Sequence, residues 1–452
     1  MKTEGRSDRV NILIKNGHVI DPSQGIEGIC DILIEKGKIK EIKRQRAKGK
    51  GQGAVKKEQP PESEIRHADL ETINASGMLV IPGLVDMHVH LREPGFEYKE
   101  TIKTGTEAAV RGGVTSVCCM PNTNPVNDNS SVTEFIIKRA IQEGSCDVYP
   151  IGAVTKVQKG EELAEMTFMR EAGCIAFSDD GRPVMSSLMM RRALEYSRVL
   201  GVPIISHCED LSLSAGGVMN EGILSITLGL KGIPVQAEEI MVSRDIALAE
   251  LTGGRLHIAH VSTGGSVELI RAAKKRGVAD ITAETCPHYF SITEEAVGSY
   301  NTNAKVNPPL RTKKDIEAIK AGLRDGTIDV IATDHAPHHS DEKLGEFDLA
   351  PSGISGLETS IGLSMKLVDE GVLTMNHLVE KMAFKPAKIA GIDKGTLKPG
   401  SDADVAIIDT KREYRVNAGD WKSKGKNTPF TGWTLNAGPM ATIVRGRIYK
   451  WD

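Results

Sequence analysis

Val85-Asp-Met-His-Val-His-Leu-Arg92 is the stretch that decides how this sequence is read. An apolar run from Met78 to Leu84, broken only by Pro82-Gly83, leads into it, so it reads as the end of a buried strand. Residues two apart on a strand share a face. His88 and His90 therefore offer two imidazoles to one point, and imidazole is a favoured ligand for zinc. Alone, His-x-His is a weak signal; its weight comes from the pattern of the chain downstream.

Beyond it, short apolar segments alternate with helical ones. After His88–His90, strands are expected to end at Val117–Asn122, Tyr149–Ala153, Ile175–Asp180, Ile204–Glu209, Leu256–His260, Ile281–Thr285 and Val330–His335. Helices lie between them, such as Ser187–Leu200, stopped by Gly201, and Ala237–Leu251, stopped by Gly253-Gly254. Strands alternating with helices give parallel β/α units, and eight units give a closed α/β fold, the (β/α)8 TIM barrel, over residues 78–395. Two further helical stretches, Glu358–Asp369 and Met375–Ala390, complete that region.

The flanks read differently. Residues 9–43 alternate apolar and polar, punctuated by Asn16-Gly17 and Lys36-Gly37, which is the pattern of a β-meander. From residue 396 to 452 the composition returns to turns and strands. Each flank is too small for a good core, so residues 1–77 and 396–452 are expected to pack into one smaller, β-sandwich-like domain. Lys43–Glu64 is basic, then Gly- and Pro-rich, and reads as a mobile surface excursion.

Composition narrows the function. The chain has 452 residues, 40% hydrophobic and 26% charged, with a formal charge of −3. That balance argues against a nucleic-acid or anionic-membrane partner. No apolar run approaches spanning length, and the N-terminal residues carry no signal-peptide core. Seven cysteines without a Cys-x-x-Cys pair fit buried thiols in a reducing cytoplasm, which is the expected location.

The expected strand ends gather a particular set of side chains. Strand one supplies His88 and His90, strand four Asp179 and Asp180, strand five His207, strand six His260 and strand eight Asp334. In a barrel all of them face one mouth. Four imidazoles with two carboxylates can hold one zinc ion or a close pair and leave a position for water. Any one of these residues could equally be a satisfied core polar group, but their joint placement on strand ends carries the reading.

Several motifs add to it. His88-Val-His90, His207 with Cys208-Glu209-Asp210, His260 with Val261-Ser262, and Thr333-Asp-His-Ala-Pro-His338 resemble the cyclic amidohydrolases of the amidohydrolase superfamily. Within it, Leu91-Arg-Glu-Pro-Gly95, Met120-Pro-Asn-Thr-Asn-Pro125, Phe177-Ser-Asp-Asp-Gly181, Asn307-Pro-Pro-Leu-Arg311 and Asn427-Thr-Pro-Phe-Thr-Gly432 resemble the long bacterial (class I) dihydroorotases. The match runs over nearly the whole chain; the Lys43–Glu64 excursion is longer than that family leads one to expect. The resemblance implies reversible cyclisation of N-carbamoyl-L-aspartate to L-dihydroorotate in pyrimidine biosynthesis. It also implies Asp180 as the ligand from strand four, where hydantoinases and short-form dihydroorotases use a carbamylated lysine between two metals. Asp179 then points away, since adjacent strand residues face opposite sides. Lys156, the nearest lysine past a strand end, belongs to strand three and is read as peripheral.

Opening a six-membered cyclic amide requires an activated nucleophile, a polarised carbonyl and a proton for the departing nitrogen. Bound zinc lowers the pKa of water from about 16 to about 7, and Asp334 is expected to shuttle the proton as general base and acid. The substrate carboxylate calls for a planar cation, and Arg92 has the parity of His90 and the right fork. Asn122, Asn307, His338 and the backbone at Gly353 are companions that the resemblance implies; singly, Asn122 and Asn307 would read as turn residues. The polar stretch Ser340–Asp348 sits where lids occur. His18, His67, His257, His288, His335, His339 and His377 are left as structural.

Rival readings are a hydantoinase, dihydropyrimidinase or allantoinase, whose substrates lack the carboxylate, and a metal-free scaffold for aspartate transcarbamoylase, which would have lost ligands. Association with that enzyme is left open, and a homodimer is the base-rate expectation.

Overall fold

The computed structural model describes residues 11–45 and 70–451. The expected excursion over 43–64 lies outside the described residues from residue 46 onward, as does His67. Two sheets organise the rest. One is an eight-stranded parallel barrel, with strands at Leu84–Val89, Val114–Cys119, Asp147–Gly152, Ala176–Phe177, Ile204–Ser206, Leu256–Ile258, Ile281–Thr285 and Val330–Ile331. All eight expected strand positions are occupied. The last strand is too short to reach the first directly; a parallel bridge between Val89 and His335, with the His90 N–H donating to the His335 carbonyl at 2.8 Å, closes the ring.

Helices stop where local chemistry stops them. Ser187–Leu200 begins at Ser186, whose side chain accepts the Met189 N–H, and ends at Gly201 in the left-handed conformation (φ 68°). Gln236–Thr252 ends the same way at Gly253. The expected continuous helix Met375–Ala390 is instead interrupted by a π-helical turn at Glu380–Phe384. Pro386 is the cause: it has no N–H for the carbonyl four residues back, so the ladder widens there.

The barrel interior is filled by Cys118, Met120, Ile151, Ile175, Ile205, Ala259, Val330 and Ala332, packed with Ile389 and Ala390 from the helix Lys385–Ala390. It is a solid core, so its only service to ligands is at the strand ends. All seven cysteines are buried and unpaired.

The second sheet joins both chain ends. Its strands include Asn11–Asp21, Ile26–Glu35, Lys38–Arg44 and Leu79–Pro82 from the first flank, and Val405–Arg415, Thr434–Val444 and Arg447–Lys450 from the second. Leu79–Pro82 pairs with strands from both flanks, and the barrel strand Leu84–Val89 follows directly after it. Asn16-Gly17 proves to be a bulge rather than a turn. Asn16 takes φ 61°, the register shifts between Ile14 and Gly17, and Asn11–Asp21 runs on as one strand. The bulge lets its first half pair with Leu70–Asn74 and its second with Leu79–Pro82. Lys36-Gly37, both at positive φ, is the tight hairpin turn that its sequence predicts.

Candidate active site

The polar residues at the strand ends converge on a cavity of about 240 Å³ at the mouth of the barrel. His88 Nε2 lies 3.4 Å from both Asp180 Oδ1 and Asp334 Oδ1. His90 Nε2 is 3.0 Å from Asp334 Oδ1 and 3.5 Å from Asp180 Oδ2. His207 Nδ1 and His260 Nε2 are 2.7 Å apart and lie 3.5 and 3.6 Å from Asp180 Oδ1. Thus the six expected metal-site residues, drawn from five strands, face one another. A bulge in strand one between Asp86 and Val89 aims the two histidines while the strand stays paired.

Backbone strain accompanies this arrangement. Arg92, His260 and Asp334 take φ values of 61°, 34° and 45°. Each such conformation costs on the order of 1–3 kcal/mol and persists where the surroundings enforce it. All three sit just past strand ends, where the chain must turn while its side chain still faces the cavity.

A second layer of carboxylates orients the rings. His88 Nδ1 is 2.6 Å from Glu284 Oε1, whose other oxygen is 3.2 Å from His257 Nε2. His207 Nε2 is 2.9 Å from Glu209 Oε2, which also accepts the Asn307 Nδ2 hydrogen at 2.9 Å. His90 Nδ1 is 2.8 Å from the Asn122 side-chain oxygen Oδ1. With Nδ1 of His88 and His90 engaged in this way, their Nε2 atoms are left for the centre. Asp179 turns away, as expected, and accepts the Val154 N–H at 2.8 Å and the Thr155 N–H at 3.1 Å. Lys156 is exposed and pairs with Glu162, far from this role.

Charge follows the geometry. Burial alone would lower the His88 imidazole, but Asp180, Asp334 and Glu284 outweigh it and raise it well above the usual range. Burial would raise Asp180 and Asp334; His88 and its neighbouring imidazoles pull both below it. Glu209 is held at about 2 against its burial, by the hydrogen bond and charge of His207.

The remaining expected residues line the same cavity. Arg92, Asn122, Asn307, His338 and Gly353 all form its wall. Arg92 Nε donates to the Pro337 carbonyl at 3.1 Å, and its Nη2 lies 3.3 Å from His338 Nε2. Asn122 and Asn307 spend part of their capacity on His90 and Glu209, so they support the centre as well as line the pocket. Gly353 takes φ 148°, and a Cβ there would lie 2.6 Å from the Ala336 oxygen.

Several participants are given no role by the sequence. Glu284 and Glu209 look there like ordinary strand-end carboxylates, and only their contacts reveal what they hold. Asn427 belongs to a motif that gives it no role by itself. It accepts the His338 N–H at 2.9 Å and donates to the Ala336 and Gly353 carbonyls at 3.0 and 2.9 Å, fixing the far wall. His335 stands 3.5 Å from Glu100, and His288, buried and pulled down to about 4 by desolvation, stays outside the cluster. Ser340–Lys343 forms a helical turn anchored by Lys343, which donates to the Thr302 and Pro351 carbonyls at 3.0 and 2.7 Å.

At the barrel mouth, two overlapping groups of the described residues could hold a metal, His88/Asp180/His260 and His88/His90/Asp334. Within the first, His88 Nε2 and Asp180 Oδ1 are buried and make no hydrogen bond among the described residues. Buried polar atoms are rarely left so, and a divalent cation accepting both lone pairs fits the donor set of imidazole and carboxylate.

Comparison with known proteins agrees. The family model described as dihydro-orotase-like matches residues 77–266. A dihydroorotase from Geobacter metallireducens is 57% identical over 442 residues, covering 98% of this chain and 100% of that protein. One from Syntrophus aciditrophicus is 55% identical over 444 residues, with coverage of 98% and 100%. Among solved structures, the L-hydantoinase (dihydropyrimidinase) of Arthrobacter aurescens superposes with a TM-score of 0.83 at 27% identity, covering 97% of this chain and 96% of that one. With a barrel of hydantoinase type and full-length relatives of this identity, the chain belongs to the dihydroorotase family of cyclic amide hydrolases.

Proposed function

We propose that the cavity binds N-carbamoyl-L-aspartate and L-dihydroorotate and interconverts them, the ring-closing step of pyrimidine biosynthesis. The observation that carries this is the meeting of a metal-ligand cluster with Arg92 in one cavity, because a cyclic amide bearing a carboxylate engages both. His88, His90, Asp180, His207, His260 and Asp334 would hold zinc, one ion or two. When bound, zinc acidifies water and polarises a carbonyl.

The chain's own groups do the rest. Asp334, 3.0 Å from His90 Nε2, accepts the proton of the attacking water. It delivers that proton to the ring nitrogen as the C–N bond breaks. In ring closure it removes the carbamoyl N–H proton while that nitrogen attacks the carboxyl carbon, then returns it to the departing oxygen. Arg92 and His338 seat the carboxylate, with Asn122 beside them. Asn307 and the backbone at Gly353 face the ring amide. Asp180 replaces the lysine of the hydantoinases, so the ligand from strand four needs no carbon dioxide.

Purified protein with its metal content measured should be assayed with dihydroorotate, carbamoyl-aspartate, hydantoin and allantoin in parallel. Turnover of the first two, far above the others, is the expected outcome. Efficient hydantoin opening without dihydroorotate opening would overturn the proposal.

A further inference from the structure

We propose that Glu100 is a positioning residue for Asp334: its buried carboxylate holds the His335 ring, and through it the turn that aims Asp334 into the cavity. This rests on reading Asp334 as the proton carrier.

Glu100 lies between the barrel strand Leu84–Val89 and the helix Ile102–Arg111, and it is 0% exposed. A carboxylate so deep persists only where donors surround it. The Ser423 hydroxyl donates to Oε2 at 2.5 Å, and the Thr104 hydroxyl donates to Oε1. The Lys424 N–H reaches Oε1 and Oε2 at 3.3 and 3.2 Å, and the Thr101 N–H reaches Oε1 at 3.3 Å. His335 Nε2 stands 3.5 Å from Oε2. Burial would raise the carboxyl, but His335 and the two hydroxyls hold it below the usual range, so it keeps its charge.

The contacts of His335 agree with one another. Its Nδ1 accepts the Gly356 N–H at 3.1 Å, and a backbone N–H can only donate. The ring hydrogen therefore sits on Nε2, toward Glu100. That nitrogen is buried and makes no aligned hydrogen bond among the described residues, so the Glu100 charge is what holds its N–H.

The backbone of His335 is shared with the chemistry. Its carbonyl accepts the His90 N–H at 2.8 Å, and its own N–H donates to the Thr333 hydroxyl at 3.1 Å. Asp334, one residue earlier, has φ 45°, a conformation that survives only where its neighbours enforce it. Asp334 lines the cavity, whereas His335 and Glu100 do not. Glu100 therefore reaches the reaction through His335. With a neutral side chain at 100 the grip on the ring slackens, and the strained turn relaxes with Asp334 on it.

The test compares Glu100→Gln, His335→Asn and the double variant with the parent protein, with metal content and Tm measured for each. Glu100→Gln should lower kcat about 10-fold, the difference between a charged and a neutral hydrogen-bond partner. KM for dihydroorotate and metal content should stay near the parental values. His335→Asn keeps an acceptor for the Gly356 N–H but loses the Nε2–H, so it should lower kcat to a similar degree. The double variant should be no worse than the poorer single one, because both changes break one contact. Ser423→Ala removes a different donor to the same carboxylate and should leave kcat at the parental level. Unchanged kcat in Glu100→Gln, additive losses in the double variant, or an equal loss in Ser423→Ala overturns the inference. Should Glu100→Gln fail to fold, His335→Asn decides: a kcat drop at constant KM and metal content supports the inference, and an unchanged kcat overturns it. Asp334→Asn separates the two ideas: if it lowers kcat while Glu100→Gln does not, the proton carrier stands and the role of Glu100 falls. If Asp334→Asn leaves kcat unmoved, the proton-carrier reading itself falls.

Discussion

His207 Nδ1 and His260 Nε2 lie closer to each other, at 2.7 Å, than either does to Asp180 Oδ1, at 3.5 and 3.6 Å. Two imidazole nitrogens at that distance need a proton or a cation between them, since two bare lone pairs would repel.

Metal removal should be felt by both activity and stability. A ligand that binds only the folded state stabilises it by about 2.7 kcal/mol at a hundred times its Kd. Chelator treatment is expected to abolish turnover and lower Tm, with zinc restoring both. His88 belongs to both candidate ligand groups, so elemental analysis of His88→Ala should find essentially no metal. Lys156→Ala should retain the parental content, because that side chain pairs at the surface with Glu162.

Asp334→Asn keeps the shape and an oxygen ligand but cannot take up a proton. General acid–base catalysis contributes about 10²–10⁴-fold, and a loss of that size in kcat/KM is expected. It should be equal for ring opening and ring closure, because a catalyst cannot move the equilibrium between them. Steady-state assays in both directions check this, and a loss in kcat/KM below about 10-fold would mean that Asp334 is not the proton carrier.

The strand ends are legible in the sequence because each breaks an apolar run with a side chain that has no business in a core: His88, His207, His260, Asp334. Their meeting can be inferred from eight repeats, since a barrel sends every strand end to one mouth. What could not be read was direction within a local motif. Asn16-Gly17 is as good a turn signal as Lys36-Gly37, yet the first became a bulge, because Asn11–Asp21 has two partner strands to satisfy. Glu284 and Asn427 were equally opaque. Glu284 reaches His88 across 196 residues and Asn427 reaches His338 across 89, and nothing local marks either contact. The π-turn before Lys385 escaped for the opposite reason, since the apolar periodicity on both sides of Pro386 is that of one helix.

Glu209 gives the fold an acid sensitivity that can be measured. Its carboxyl is held at about 2 instead of 4.5, despite burial, by His207 and Asn307. For a depressed carboxyl the stabilisation is fully present above pH 4.5 and is lost as pH falls toward 2. The gap corresponds to about 3 kcal/mol at most. Denaturant melts between pH 6 and 3 should therefore show Glu209→Gln losing less stability on acidification than the parent. Parallel curves would remove Glu209 from the acid response.

Gly353 offers the sharpest test of the far wall. Its φ of 148° is open to glycine and nearly closed to other residues, and a Cβ would lie 2.6 Å from the Ala336 oxygen and 3.0 Å from His338 Cδ2. Alanine must therefore move backbone, not just a flexible side-chain tip. The backbone in question is held on both sides: the Gly353 N–H donates to the Lys305 carbonyl at 2.9 Å, and Asn427 bonds the Gly353 and Ala336 carbonyls. A shift thus reaches His338, whose N–H shares the same asparagine. Gly353→Ala is expected to cost about 1–3 kcal/mol of stability and to raise KM more than it lowers kcat, since the metal cluster lies on other strands. Metal content should be unchanged. If kcat falls instead while KM holds, the wall at Gly353 acts on the chemistry and not on the seating of substrate.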